Sequence, residues 1–209
     1  MRTVQAFTAF VLFLFLFANK PVNAQVQFKL QWLPDSTAWG VFARPEPGVK
    51  IPKFTIIGSG QVTIVTPPGS SFFDLRSFSG TWEQNAYVAT PKENPNGDYI
   101  SFGMMTADPP IVLQDGEETL LFTFKAKEGQ YPEWMYLMPD DDPFNQLPNS
   151  QNSNPGNDIT ALDPGTAIIY SFTGIYNPDA WDWRPENLVP QGPYRQGLDK
   201  RHPRIYIKP

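Results

Sequence analysis

Apolar and polar positions alternate most clearly over residues 119–127, Thr-Leu-Leu-Phe-Thr-Phe-Lys-Ala-Lys. Leu120, Phe122, Phe124 and Ala126 fall on one face; Leu121, Thr123, Lys125 and Lys127 fall on the other. A period of two in residues that favour extended backbone predicts a half-buried strand. Asp115-Gly116 before it and Glu128-Gly129 after it supply turns. Residues 25–33 alternate in the same way, with Val26, Phe28, Leu30 and Trp32 inward and Gln27, Lys29 and Gln31 outward. Further strands are predicted at 39–44, 86–89, 98–105, 111–113, 134–138 and 167–173. Residues 54–57 and 61–65 flank Gly58-Ser59-Gly60, which makes either a hairpin turn or a bulge within one long strand. Residues 67–85 are expected to form a loop or turn that lays Phe72, Phe73, Leu75, Phe78 and Trp82 over one end of the core. Residues 139–158 form the longest polar stretch, a length of loop that is usually functional or mobile.

No window carries a sustained 3.6-residue apolar stripe, and 23 prolines and 15 glycines cut the chain into short pieces. The expected fold is therefore all-β: an antiparallel β-sandwich of jelly-roll type with about nine strands over residues 25–176, followed by a Pro-rich tail at 177–209. Residues 1–24 read as a secretory signal peptide, with Arg2, an apolar run over 6–18, and small residues Val22 and Ala24 ahead of a cut before Gln25. The expected location is extracellular or at the cell surface, with the periplasm as the alternative, and no membrane span in the mature chain. Without Arg2 and Lys20 the chain keeps 14 basic against 21 acidic residues, a balance that gives it no affinity for nucleic acid or anionic lipid. There is no cysteine, which excludes disulfides, thiolate chemistry and a lipidated Cys.

Candidate chemistry is sparse. His202 is the only histidine and lies in the tail, so neither a Ser-His-Asp triad nor a His-rich zinc site is indicated. A carboxylate pair for glycoside hydrolysis leaves no local signature, although Glu83, Glu93 and Glu133 are present. The best candidate metal site is Asp140, Asp141 and Asp142 with Asn145, Asn157 and Asp158, a set of hard oxygen ligands that suits calcium. The best candidate ligand platform is Tyr176, Trp181 and Trp183, whose flat rings suit the apolar face of a sugar; Trp39 and Trp82 are the alternative pair. In the tail, Arg184, Arg195, Lys200, Arg201, Arg204 and Lys208 outnumber the acids, and residues 204–208 have the pattern of a closing edge strand.

Residues 116–127, Gly-Glu-Glu-Thr-Leu-Leu-Phe-Thr-Phe-Lys-Ala-Lys, resemble the Gly-to-LFTFTFKV strand of cohesin-type modules, which share a β-sandwich with some carbohydrate-binding modules. Asp142-Pro143-Phe144 and Asn154-Pro155-Gly156-Asn157-Asp158-Ile159-Thr160 resemble a secreted domain of Bacteroidota surface proteins. The resemblance implies a non-catalytic module that binds a surface protein or polysaccharide. The residues with which cohesins contact dockerin have no counterpart here. The alternatives are a structural subunit of a surface fibre or matrix, assembled through edge strands and the tail, and a glycoside hydrolase.

Overall fold

The computed structural model describes residues 24–52, 54–127 and 130–183. The expected signal peptide, apart from Ala24, lies outside these residues, as does the tail from 184 onward with His202 and the 204–208 segment.

The described residues form ten strands: β1 (Ala24–Leu33), β2 (Ala38–Pro45), β3 (Ile56–Thr66), β4 (Phe72–Ser77), β5 (Thr81–Val88), β6 (Asp98–Thr106), β7 (Thr119–Ala126), β8 (Tyr136–Leu137), β9 (Asp158–Leu162) and β10 (Ile169–Ile175). They make one curled sheet in the order β4-β7-β2-β1-β10-β9-β3-β6-β5, with β8 added to β3. The edges β4 and β5 approach each other, so the sheet nearly closes into a barrel. This is the all-β, sandwich-like fold that the alternation predicts. It differs in detail: the sheet is continuous and mixed, because β1 and β10 pair in parallel while every other pair is antiparallel. A parallel pair requires a long crossover. Here the rest of the domain supplies it, since β1 opens the described chain and β10 nearly ends it.

The most regular predicted strand contains a bulge. Val41 of β2 faces Phe122, but Phe42 faces Leu120, so Leu121 is an extra residue in β7. An extra residue reverses the phase of everything beyond it. Phe122, Phe124 and Ala126 are buried as expected, but Leu121 is also fully buried and Leu120 turns outward beside Phe42. In β3 the second of the two readings of Gly58-Ser59-Gly60 holds: one long strand bulges against β9 between Ile57 and Ser59.

Residues 67–85 are not a loop. They hold β4 and the start of β5, two edge strands whose polar residues lack the alternation that a covered strand needs. Conversely, Ile111 and Leu113 belong to no strand, although both are buried in the core from an irregular segment. The main core gathers Phe28, Trp39, Val41, Ile64, Phe102, Phe122 and Phe124 among others. Its aromatic centre is Trp39, stacked on Phe124 at 5.9 Å, with Phe72 at 4.5 Å from Phe124. A smaller cluster, Val65, Tyr99, Met138 and Phe144, lies on the opposite face of β3 and β6. Residues 62–66 and 98–103 are therefore buried on both faces, as their unbroken burial shows. Residues 138–157 provide the covering for that second face.

Candidate functional site

The acidic loop earns its order from its own polar side chains. Asp142 is buried, caps the 3-10 turn Pro143–Asn145 by accepting from the Phe144 amide at 2.8 Å, and accepts from Tyr99 Oη at 2.8 Å. Burial, reinforced by the Asp142 charge, pushes the Tyr99 phenol far above its ordinary range, while the hydrogen bond from Asn94 Nδ2 works in the other direction. Asn157 straps the loop to the sheet: its Oδ1 accepts from the Thr63 amide at 2.8 Å and its Nδ2 donates to the Met138 carbonyl at 2.7 Å. Asn145 Nδ2 donates to the Asp140 carbonyl at 3.0 Å. Asp158 begins β9 and accepts from Ser59 Oγ at 2.6 Å. Glu93 anchors the loop from outside by accepting from the amide and the hydroxyl of Ser150, both at 2.7 Å, and these bonds hold its carboxyl below the usual range.

The six predicted metal ligands are thus distributed among separate structural tasks. Asp142 and Asn157 are committed to the packing of the loop, Asp158 lies on a strand, and Asp140 and Asp141 are exposed. Among the described residues no three His, Asp or Glu side chains come together in a cluster that suits a metal ion.

The predicted aromatic platform separates into two groups. Tyr176 is only 5% exposed; its amide donates to the Phe28 carbonyl at 3.0 Å, and the Arg44 guanidinium lies 3.7 Å from its ring centre. Trp181 and Trp183 both pack against the main core elsewhere. After Tyr176 the chain folds back along the ends of β1 and β2: the Trp32 amide donates to the Ala180 carbonyl, and Trp39 Nε1 donates to the Trp181 carbonyl, both at 2.9 Å. The first residues of the expected tail therefore lie on the domain as far as Trp183. The Trp183 ring stacks on Tyr131 at 4.7 Å and 25°, and its Nε1 donates to the Pro132 carbonyl at 3.3 Å. Tyr131 in turn meets Trp32 edge-on at 6.0 Å and Trp39 at 5.9 Å. Trp32, Tyr131, Trp181 and Trp183 are half-buried around the fully buried Trp39. The alternative pair, Trp39 and Trp82, is core, at 0% and 2% exposure.

Sequence reasoning missed a charged cluster on the outer face of β1 and β2. Lys29 projects outward as its phase requires, yet it is 5% exposed. It pairs with Glu118 and lies over the rings of Phe42 (4.7 Å) and Tyr176 (5.4 Å). Burial, then the Glu118 charge, raise the Tyr176 phenol well above its ordinary range, against the opposing effect of Arg44. The partners come from positions 89 and 147 residues away in the chain, so no local pattern announces them. The only trace is a lysine set between large apolar residues. A shallow groove of about 350 Å³ beside the cluster is lined by Arg44, Pro45, Pro47, Gly48, Asp115, Gly116 and Glu118, a mixture of both charges.

Compared with family models, curated proteins and solved structures, the chain matches none. Among the described residues no helix is long and apolar enough to cross a membrane.

Proposed function

We propose that the protein is an exported, non-catalytic binding module that recognises a glycan or a protein at the cell surface through the aromatic end formed by Trp32, Tyr131, Trp181 and Trp183. The observation that carries this reading is the Trp183–Tyr131 stack. Its indole N–H is tied to Pro132, and the ring stays half-buried on Tyr131, itself half-buried against the buried Trp39. A ring held in one orientation loses little entropy when a ligand packs on it. An aromatic pair in this arrangement offers apolar surface to the face of a sugar ring or to a partner side chain.

A binding role also agrees with the state of the buried carboxylates. Asp98 accepts from the Gly69 amide, the Thr90 amide and Tyr87 Oη at 2.7, 3.0 and 2.5 Å. Asp163 accepts from the Gly165 amide and Thr166 Oγ1. Both carboxylates are thereby committed to holding turns in place.

The test is a glycan array together with capture from cell-surface fractions, with and without calcium, using the full chain and a Trp183→Ala variant. A ligand bound by the full chain and lost by the variant supports the reading. No ligand in either format, or equal binding by the variant, overturns it.

A further inference from the structure

The sheet stops short of closing. β4 and β5 follow each other in the chain and meet around Gly80, yet among the described residues each pairs on one side only, β4 with β7 and β5 with β6. Between them lies a cleft of about 360 Å³ lined by Gly69, Ser70, Phe72, Gln84, Tyr87 and Ile100. The side chains at the cleft identify which face of the wall is open. Gln84 pairs with Phe102 and Tyr87 with Ile100, and directly paired residues project to the same side of a sheet. Phe102 and Ile100 are buried in the main core. Gln84 and Tyr87 therefore stand on the core side, but Gln84 is exposed and Tyr87 is 47% exposed. Both faces of β5 are exposed along residues 83–87. Among the described residues no strand fills the wall here, and the main-chain edges of β4 and β5 that no described strand pairs border the space.

We propose that residues 204–208 of the same chain, Arg-Ile-Tyr-Ile-Lys, occupy this seam as an eleventh strand. They bond to the free edge of β5 and fill the cleft with Ile205 and Ile207. In an extended segment those two isoleucines share one face, and Arg204, Tyr206 and Lys208 share the other. The apolar face matches Phe72 and Ile100 in the cleft, and the cationic face matches Glu83, which is exposed on the outer side of β5.

Reach favours the chain's own segment. Trp183, the last described residue, connects to the seam through three ring-to-ring steps: Tyr131 at 4.7 Å, then Trp39 at 5.9 Å, then Phe72 at 6.1 Å. Twenty residues separate Trp183 from Arg204. A coil of that length spans roughly 25 Å on average, and its prolines extend it further. A tether matched to its target presents the segment at an effective concentration near the millimolar range, above that of a second copy in dilute solution. Adding a strand to an open edge is a general recognition mode in which the main chain supplies affinity and alternate side chains supply specificity.

Hydrogen exchange on the full chain tests this, read on peptides covering 83–88 and 204–209 at several protein concentrations. Both peptides should be protected at least tenfold over unstructured chain, independent of concentration. Ile205→Asp with Ile207→Asp should abolish protection in both and leave β1, β2 and β7 unchanged, whereas Ile205→Val with Ile207→Val should preserve it. Gln84→Trp, which fills the cleft from the other side, should release 204–209 without altering the tail. Exchange of 204–209 at the unstructured rate in the unmodified chain overturns the proposal, as does a Gln84→Trp variant whose tail stays protected or a valine variant that loses protection. Protection that rises with concentration assigns the seam to a second copy. Protection moved to the row of exposed Ile56 and Ile169 with half-buried Leu162 assigns the segment to another face. Each of these also overturns it.

Discussion

The acidic loop (residues 139–158) and the aromatic cluster around Trp39 use their polar atoms in similar ways but present different surfaces. In the loop, Asp142, Asn145, Asn149 and Asn157 bond to main-chain groups that have no strand partner. Irregular backbone packed on a sheet must find such partners, because an unpaired buried amide or carbonyl costs as much as a lost hydrogen bond. In the aromatic cluster, the indole N–H groups of Trp39 and Trp183 are also bonded to carbonyls. What remains there is ring surface, fixed and partly open. A high density of polar residues therefore marks a segment that builds itself, and a site is better sought where oriented surface is left over.

That contrast breaks most visibly under mutation. The largest effect is expected at Trp39→Ala, where a cavity at the centre of the aromatic cluster should cost about 3–5 kcal/mol in urea unfolding. A loss below 1 kcal/mol would show that the cluster is not anchored in the core. Next is Asp142→Ala, which strands the Tyr99 hydroxyl and the Phe144 amide and should cost roughly 2–4 kcal/mol. Its exposed neighbour gives the control: Asp140→Ala should stay within about 0.5 kcal/mol. Equal losses at the two positions would mean that the loop is stabilised by its charge as a whole and not by individual bonds. Trp183→Ala should cost only about 1 kcal/mol, the scale of one aromatic pair, while removing ligand binding.

The smallest expected effect is on pH dependence, and its sign separates the groups. Tyr87 is raised from 10.0 to about 12, first by its hydrogen bond to Asp98, then by burial and the Asp98 charge. The folded state favours the neutral phenol, so its contribution is fully present below pH 10.0 and is lost as pH rises toward about 12. Glu93, Asp74 and Asp163 are lowered, by bonds from Ser150, Arg76 and Thr166 respectively. Their contributions are present above the ordinary carboxylate range and disappear as pH falls through their folded values. The Asp140 carboxyl, partly screened from water by the loop although the residue as a whole is exposed, is raised, the Asp141 charge adding to the effect, and opposes them. Acid should therefore loosen the Glu93–Ser150 anchor of the acidic loop before it disturbs the aromatic cluster. Thermal melts from pH 6 to 3 with Glu93→Gln as reference check this: the variant should lose less on acidification than the unmodified chain.

The sequence makes some of these features readable and conceals others, for physical reasons. β1 and β2 follow the alternation because one face meets the core and the other meets lesser partners. β7 is found by the same pattern, but its inward residues are misassigned ahead of Phe122, at Leu120 and Leu121, because a bulge is set by pairing with β2 and leaves no local mark. β4 and the first half of β5 escape notice because edge strands need no apolar face, whereas the predicted strand at 86–89 falls on the end of β5. That Asp142 and Asn157 bond to the protein's own groups is not readable locally, because their partners Tyr99 and Thr63 lie 43 and 94 residues away in the chain. Trp183 stacks on Tyr131 and Trp181 accepts through its carbonyl from Trp39, both at the aromatic end, whereas Tyr176 belongs with Lys29 and Arg44.

The six tryptophans offer a direct measurement of the central claim, that the aromatic end binds and the acidic loop builds. Trp134 stacks on Tyr136 at 5.7 Å and packs against the cluster beneath the acidic loop; Trp183 and Trp32 report the aromatic end. Indole N–H resonances, assigned by single substitution, can be followed while the strongest ligand from the glycan array is titrated in. The account predicts saturable shifts at Trp183 and Trp32 with Trp134 unmoved. Shifts at Trp134 with Trp183 and Trp32 unmoved would contradict it.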